Sequence, residues 1–444
     1  MADEQQASLD RPLPILSWAM YDFANTIYSA VVVTAFFPKF MAQLAGRDLY
    51  TGLTQTVSMV LAGLIVPVAG ALADRTGKAK RYLWWLTLAC CAATLCIGVA
   101  ANDANYDGKN GFTAHAQVMV PVLLFFGLAN LTYQASLVFY NTLLPAVASP
   151  RRQGFVSGFG VGLGYLGVVV ALPIALYARN ATGTMRVTFL LAGVAFLVSS
   201  LPLFLFVRPR RPSHPASMAI AGHFAKLGST LRAVCQTRPV LFFFLGNFLV
   251  VDVLNTLIMW TRPFLEQGAG FSEDASGYTL LAMSVTAFLL GMGMGWFTDK
   301  LGPKRMLLGS ALSMLLCIIV VCAVPARVVI LPVILLFGSG GLAGIWTAGR
   351  KWLLDIAPPD RVGEFFGLYG VTIKLSVLGC SVFALLADWT HSYRVALLGQ
   401  LVFLVPGICF LAAAKPPQRL ASTEERADDS EPCDAIRRDG PTAP

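Results

Sequence analysis

Gly70-Ala-Leu-Ala-Asp74-Arg75-Thr-Gly77-Lys78 returns as Gly295-Trp-Phe-Thr-Asp299-Lys300-Leu-Gly302, with Lys304 and Arg305 just beyond. Each copy sits where a long apolar run gives way to a basic loop. A signature that recurs 225 positions later points to a chain built from two related membrane halves.

Composition agrees with that reading. Charged residues make up 13% of 444 and hydrophobic residues 56%, and mean hydropathy is +0.67, far from a soluble domain in which about a quarter of residues are charged. A helix needs about 20 residues to cross the hydrocarbon. Apolar runs of that length lie near 15–40, 52–73, 82–101, 116–140, 154–177, 185–207, 239–262, 277–297, 306–324, 328–348, 363–387 and 393–413. The expected fold class is therefore an all-α membrane protein, with twelve transmembrane helices in two pseudo-symmetric six-helix bundles. The expected organisation is a cytoplasmic N-terminal segment (1–14), a first bundle (15–207), a central cytoplasmic loop (208–238), a second bundle (239–413) and a disordered tail (414–444) poor in apolar residues.

Basic loops stay on the cytoplasmic side during insertion. Of 33 Lys and Arg, 24 fall in alternate segments that include both ends, eight lie on the other side, and Lys374 alone is deep in a span. Both termini are expected in the cytoplasm, and the membrane is the cell membrane if the source is prokaryotic. The net charge of +9 is accounted for by inner loops facing anionic lipid, so no nucleic-acid partner is implied. Asp3, Glu4 and Asp10 precede the first apolar run without a basic region, so a cleaved signal peptide is not expected. Nine Cys lie mostly inside spans and the four His lie in loops or at span edges, without metal-ligand spacing. No P-loop or nucleophile elbow occurs. No metal, no cofactor and no enzymatic activity are expected.

The repeat extends inward. Asp22-Phe-Ala-Asn25-Thr26 in the first span matches Asp252-Val-Leu-Asn255-Thr256 in the seventh at an offset of 230, and Arg152, Phe155 and Gly158 match Arg361, Glu364 and Gly367 at 209. The shorter offset is accommodated by the loop 102–115, which the second half lacks. Asp22 and Asn25 share a helical face with Tyr21 and Tyr28 close by. Ionisable groups inside a span are costly and usually face a partner or a water-filled space. The expectation is that Asp22, Asn25, Tyr28, Asp252, Asn255, Arg350 and Lys374 form a substrate-binding or proton-coupling site suited to a zwitterion. An internal Lys-to-Asp structural pair is the alternative for Lys374, a purely structural hydrogen bond the alternative for Asp252, and an interfacial position the alternative for Asp22. The Gly-x-x-x-Gly registers at 154, 158 and 162, and at 160 and 164, read as close helix packing.

The two signatures, the six-plus-six spans and the long central loop resemble the major facilitator superfamily. Tyr21-Asp22-Phe23-Ala24-Asn25, Tyr140-Asn141-Thr-Leu-Leu-Pro145, the glycine run from Gly158 to Gly167, and Glu364-Phe365-Phe366-Gly367-Leu368-Tyr369 are similar to its vacuolar-effluxer branch, related to autophagy-linked amino-acid exporters of fungi. The resemblance implies a secondary transporter working by alternating access, exporting amino acids or similar metabolites; a proton or solute gradient is the expected driving force, with protonation of Asp252 or Asp22 as the proton route, and a monomer is expected. It also implies a gate at Gly70, Asp74, Arg75 and Gly77, with Asp74 latched to the eleventh helix, and a pseudo-symmetric gate at Gly295, Asp299 and Gly302. A drug or other metabolite exporter, or a receptor or scaffold that has kept the fold, are the alternatives.

Overall fold

The structure, a computed structural model, describes residues 9–38, 40–41, 49–101, 112–208, 232, 234–324, 326–359, 361–376 and 378–414. Most of the loop expected at 102–115, most of the central loop and all but Ala414 of the tail lie outside them. The described residues are helical with short turns and contain no strand. Helix is what the bilayer dictates, because a spanning segment must satisfy its backbone hydrogen bonds internally.

The helices are α1 (Pro12–Ile27, continued by Tyr28–Phe36), α2 (Leu49–Thr76), α3 (Ala79–Ala100), α4 (Phe112–Thr142), α5 (Gln153–Thr182) and α6 (Arg186–Phe206) in the first half. The second half holds α7 (Arg238–Pro263, continued by Phe264–Gly268), α8 (Glu273–Leu301) and α9 (Pro303–Ala323). It is completed by α10 (Arg327–Val333, Ile334–Gly338 and Ser339–Ile356), α11 (Val362–Leu375 and Leu378–Thr390) and α12 (Tyr393–Gly399 and Leu401–Ala413). Eleven of these are long and apolar enough to cross a membrane. The first joins 16 α-helical residues to nine wider-turned ones, roughly 35 Å in all.

Local chemistry sets the ends and the irregular turns. Proline opens α1, α7 and α9, where its missing N–H costs nothing. Gly77 (φ 59°) and Gly302 (φ 86°) close α2 and α8 in left-handed backbone that glycine adopts without strain. Pro263 and Pro332 just precede the wide turns of α7 and α10, where the missing N–H and the ring loosen the i→i−4 ladder.

Within the first half α1 packs on α5 and α6, and α3 on α4 and α6; within the second, α7 packs on α12 and the second segment of α11, and α10 on α8 and α9. The halves meet along α5 with α8 and α10, and along α11 with α2 and α4. The basic loops themselves tie helix ends together. Lys80 Nζ donates to Val207 O at the end of α6 (2.6 Å), and Lys304 Nζ donates to Ala412 O (2.7 Å) and Ala414 O at the end of α12. An ammonium there satisfies terminal carbonyls and offsets the negative end of the helix dipole.

Candidate functional site

At the end carrying the basic loops, each half caps a helix of the other. Gly363 N–H and Glu364 N–H, at the start of α11, donate to Asp74 Oδ1 (2.7 Å) and Oδ2 (2.8 Å). Gly154 N–H and Phe155 N–H, at the start of α5, donate to Asp299 Oδ1 (2.8 Å) and Oδ2 (2.7 Å). A carboxylate across a helix N-terminus satisfies two otherwise unpaired donors and meets the positive end of the dipole. The carboxylates are 225 positions apart and the N–H pairs 209 apart, so the weak later match in the repeat marks the donors. Arg75 is half-buried beside its latch.

Glycines make the latches reachable. A Cβ on Gly70 would collide with the Gly363 carbonyl, and one on Gly363 with the Gly70 carbonyl. On the other side Gly295 would meet Gly154 O at 2.7 Å, and Gly158 would collide with the Gly291 carbonyl. The glycines that make these approaches lie between 154 and 162 on a helix that extends to Thr182, and their partners between 288 and 299 on one that begins at Glu273. The halves are thus sealed at the basic end, while the second segment of α11 packs on helices of its own half.

Deeper in, Arg350 Nη1 of α10 pairs with Asp22 Oδ2 of α1 at 3.0 Å, both side chains almost wholly buried. Asn25 Nδ2 donates to the other oxygen, Asp22 Oδ1 (3.1 Å). The guanidinium lies 6.0 Å from the centre of Trp18 and 5.9 Å from that of Tyr140, two rings stacked at 4.5 Å whose faces favour a cation. Gly160 makes room, since a Cβ there would stand 2.7 Å from Asp22 Oδ2. Asp22 is therefore a buried member of an ion pair between the halves, not an interfacial residue.

Lys374, on the first segment of α11, is buried, and no described residue offers it a hydrogen bond or a countercharge. Its ammonium lies beside Gly370 with Val66 of α2 and Val138 of α4, so it faces the first half across the interface. An ammonium so placed is costly without an anion.

The other predicted residues part company from this pair. Asp252 is fully buried inside the second half, where Gly379 N–H, at the start of α11's second segment, donates to its Oδ2 (2.7 Å). Asn255 Nδ2 donates to Ser376 O at the end of the first segment (2.9 Å). Both side chains thus hold the break in α11. The repeat explains the divergence: at the offset of 209, Arg350 corresponds to Asn141, so Asp252 has no arginine to meet. Tyr28 turns into the first bundle, against Tyr133 (ring centres 4.9 Å apart) and Phe196.

Two residues beside the ion pair escaped the sequence reading. Asn247 and the Tyr369 hydroxyl are buried close enough to pair with each other, and both approach Gly349, where a Cβ would stand 2.6 Å from the hydroxyl. The one available signal was the glycine preceding Arg350.

The sequence model of the Major Facilitator Superfamily matches residues 16–377, with a second match at 258–440. The chain belongs to the major facilitator superfamily. As a member of that superfamily it is a multi-pass membrane transporter of small solutes rather than an enzyme. It is similar to the MFS-type transporter YxiO of Bacillus subtilis (strain 168), at 24% identity over 89% of this chain and 93% of that one. It is also similar to autophagy-related protein 22 of Yarrowia lipolytica, at 26% identity over 57% of this chain and about half (49%) of the relative. The protein of that name from Kluyveromyces lactis is 22% identical over 79% of this chain and 76% of its own. Among solved structures, a bacterial homologue of the iron transporter ferroportin in an outward-facing state has the same superfamily fold, with a TM-score of 0.69 and 17% identity over 90% of this chain and all of that one. The proton:xylose symporter XylE superposes with a TM-score of 0.65 and 13% identity over 94% of this chain and 98% of that one.

Proposed function

We propose that this transporter exports amino acids or similar small carboxylate-bearing metabolites by alternating access, coupled to a cation gradient. In this reading the basic end is cytoplasmic, both termini face the cytoplasm, the protein works as a monomer in the cell membrane, and the structure is its outward-open state. The supporting observation is the charge balance between the halves. Asp22 and Arg350 neutralise one another, Asp252 is sequestered elsewhere, and Lys374 is left as a buried cation without a countercharge among the described residues. A space with one surplus positive charge favours an anionic group, so the solute's carboxylate is assigned to Lys374. Its remaining polar atoms are assigned to Asn247 and Tyr369, whose buried groups have no partner beyond each other among the described residues. Resemblance to the autophagy-related proteins supports the amino-acid class.

A stability screen of the purified protein tests this, because a ligand that binds only the folded state raises its unfolding temperature. Amino acids, and the same compounds as carboxyl amides, are compared at two pH values. The free carboxylates are expected to stabilise the wild type but not Lys374→Met. Equal effects of acids and amides would refute the assignment.

A further inference from the structure

Around Asp252 the hydrogen-bond inventory does not close. The carboxylate has no exposed surface. Its Oδ2 accepts from Gly379 N–H (2.7 Å), the Leu378 N–H also points toward the carboxylate, and its Oδ1 has no hydrogen bond of ordinary geometry among the described residues. From α12 the fully buried Gln400 approaches the same place, its Nε2 donating to Gly379 O (3.1 Å) while its Oε1 also lacks a donor. Turning this amide over would set its oxygen against the Gly379 carbonyl, so the orientation is pinned. From α7 itself Thr256 adds a third oxygen; its hydroxyl donates to Asp252 O (2.9 Å) and also lies 3.5 Å from Cys380 Sγ, leaving a lone pair able to accept. The three converge: a Cβ on Gly379 would stand 2.5 Å from Asp252 Oδ2 and 2.7 Å from both Gln400 Oε1 and Thr256 Oγ1. Gly379 N–H serves only Asp252 Oδ2; buried acceptors such as Asp252 Oδ1 and Gln400 Oε1 left without a donor are costly unless something positive is shared.

No described side chain supplies that charge. On α11 the one titratable neighbour is the Cys380 thiol, 3.5 Å from Thr256 Oγ1, and α12 contributes only the neutral Gln400. Arg350 is engaged by Asp22, and the Lys374 ammonium lies by Gly370, which Val66 and Val138 of the other half also approach. The position that would answer Arg350 in the repeat is Asn141.

We propose that Asp252, Gln400 and Thr256, at the break in α11, bind a monovalent cation, either a proton on Asp252 directed at Gln400 or a sodium ion held by the three oxygens. The break gives the site leverage. The first segment of α11 is latched to Asp74 at one end, carries Lys374, and ends where Asn255 and Asp252 grip the break. Loss of the cation leaves an uncompensated carboxylate beside Gly379 and loosens that grip, which couples the cation to the latch. The coupling rests on the transporter reading; the binding does not.

The test uses the purified full-length protein. Thermal unfolding is followed in sodium chloride and in choline chloride at equal ionic strength, at pH 6 and pH 8, alongside infrared absorption of the carboxyl region. A sodium site raises the wild-type midpoint in sodium at pH 8. A proton site gives a midpoint that rises toward acid regardless of sodium, and a protonated-carboxyl band at neutral pH. Either response is absent in Asp252→Asn, whose amide N–H donates to Gln400 in place of the cation and keeps the midpoint high under every condition. Gln400→Met, which removes one acceptor without adding charge, weakens the response and serves if the first variant does not fold. A wild type indifferent to sodium and pH, with no carboxyl band, overturns the proposal. A protein that shows the cation response yet moves no solute in liposomes keeps this site and loses the transporter reading instead.

Discussion

Replacing Asp74 with Asn is the sharpest perturbation of the sealed end. The two oxygens of Asp74 each take one backbone N–H from α11, at 2.7 and 2.8 Å. The amide keeps one acceptor and turns an N–H toward the second donor. One charge-assisted bond, worth about 1.5–3 kcal/mol, is lost, together with about 0.3–1 kcal/mol of helix-dipole interaction. The closed arrangement should weaken by about 2–4 kcal/mol, or about 30-fold to several hundred-fold in population, since about 1.4 kcal/mol is tenfold. Ser157 reports on this. It is fully buried on α5, and its hydroxyl donates across the interface to Thr347 O (3.4 Å). In a cysteine-free background carrying Ser157→Cys, a membrane-impermeant maleimide supplied at the basic end should label slowly with Asp74 intact and at least ten times faster with Asp74→Asn. Asp299→Asn, which breaks the symmetric cap, should do the same. A labelling rate unchanged by either substitution would refute the idea that these carboxylates hold the halves together.

Gly158→Ala and Gly295→Ala place a Cβ against backbone of the opposite half; both should speed the same labelling while leaving far-ultraviolet dichroism unchanged. Asp22→Asn or Arg350→Gln alone strands a buried charge and should cost about 3–5 kcal/mol, read as a lowered midpoint, whereas the double change recovers part of that loss in a double-mutant cycle. Lys374→Met removes a buried ammonium that has no partner among the described residues, so the unliganded protein should unfold at the same or a higher temperature. The same change should weaken carboxylate solutes about tenfold or more, as expected when one charge-assisted bond of about 1.5–3 kcal/mol is removed.

What the sequence made legible follows from what each signal depends on. Spans were readable because apolar length is a property of composition alone, and Asp74 and Asp299 were visible as members of a repeated signature because each sits next to a span end. The fate of Asp252 was not. Its match to Asp22 at an offset of 230 suggested equal roles, yet a carboxylate's role is decided by its partner, and the partner positions Arg350 and Asn141 differ in charge. Nor was the break in α11 marked, because Leu375, Ser376 and Leu378 are ordinary helix residues; it is held open by Asp252 and Asn255 from a different helix. Lys80 and Lys304 read as topology-setting charges, whereas each also caps a distant helix.

Solute flux tests the central claim most directly. Purified protein in liposomes preloaded with an unlabelled amino acid is offered the labelled compound outside, and counterflow is measured for the wild type, Asp22→Asn and Lys374→Met. Rocking of two halves about these charged groups predicts saturable counterflow in the wild type and its loss in both variants. Saturable counterflow at the wild-type rate in both would contradict it.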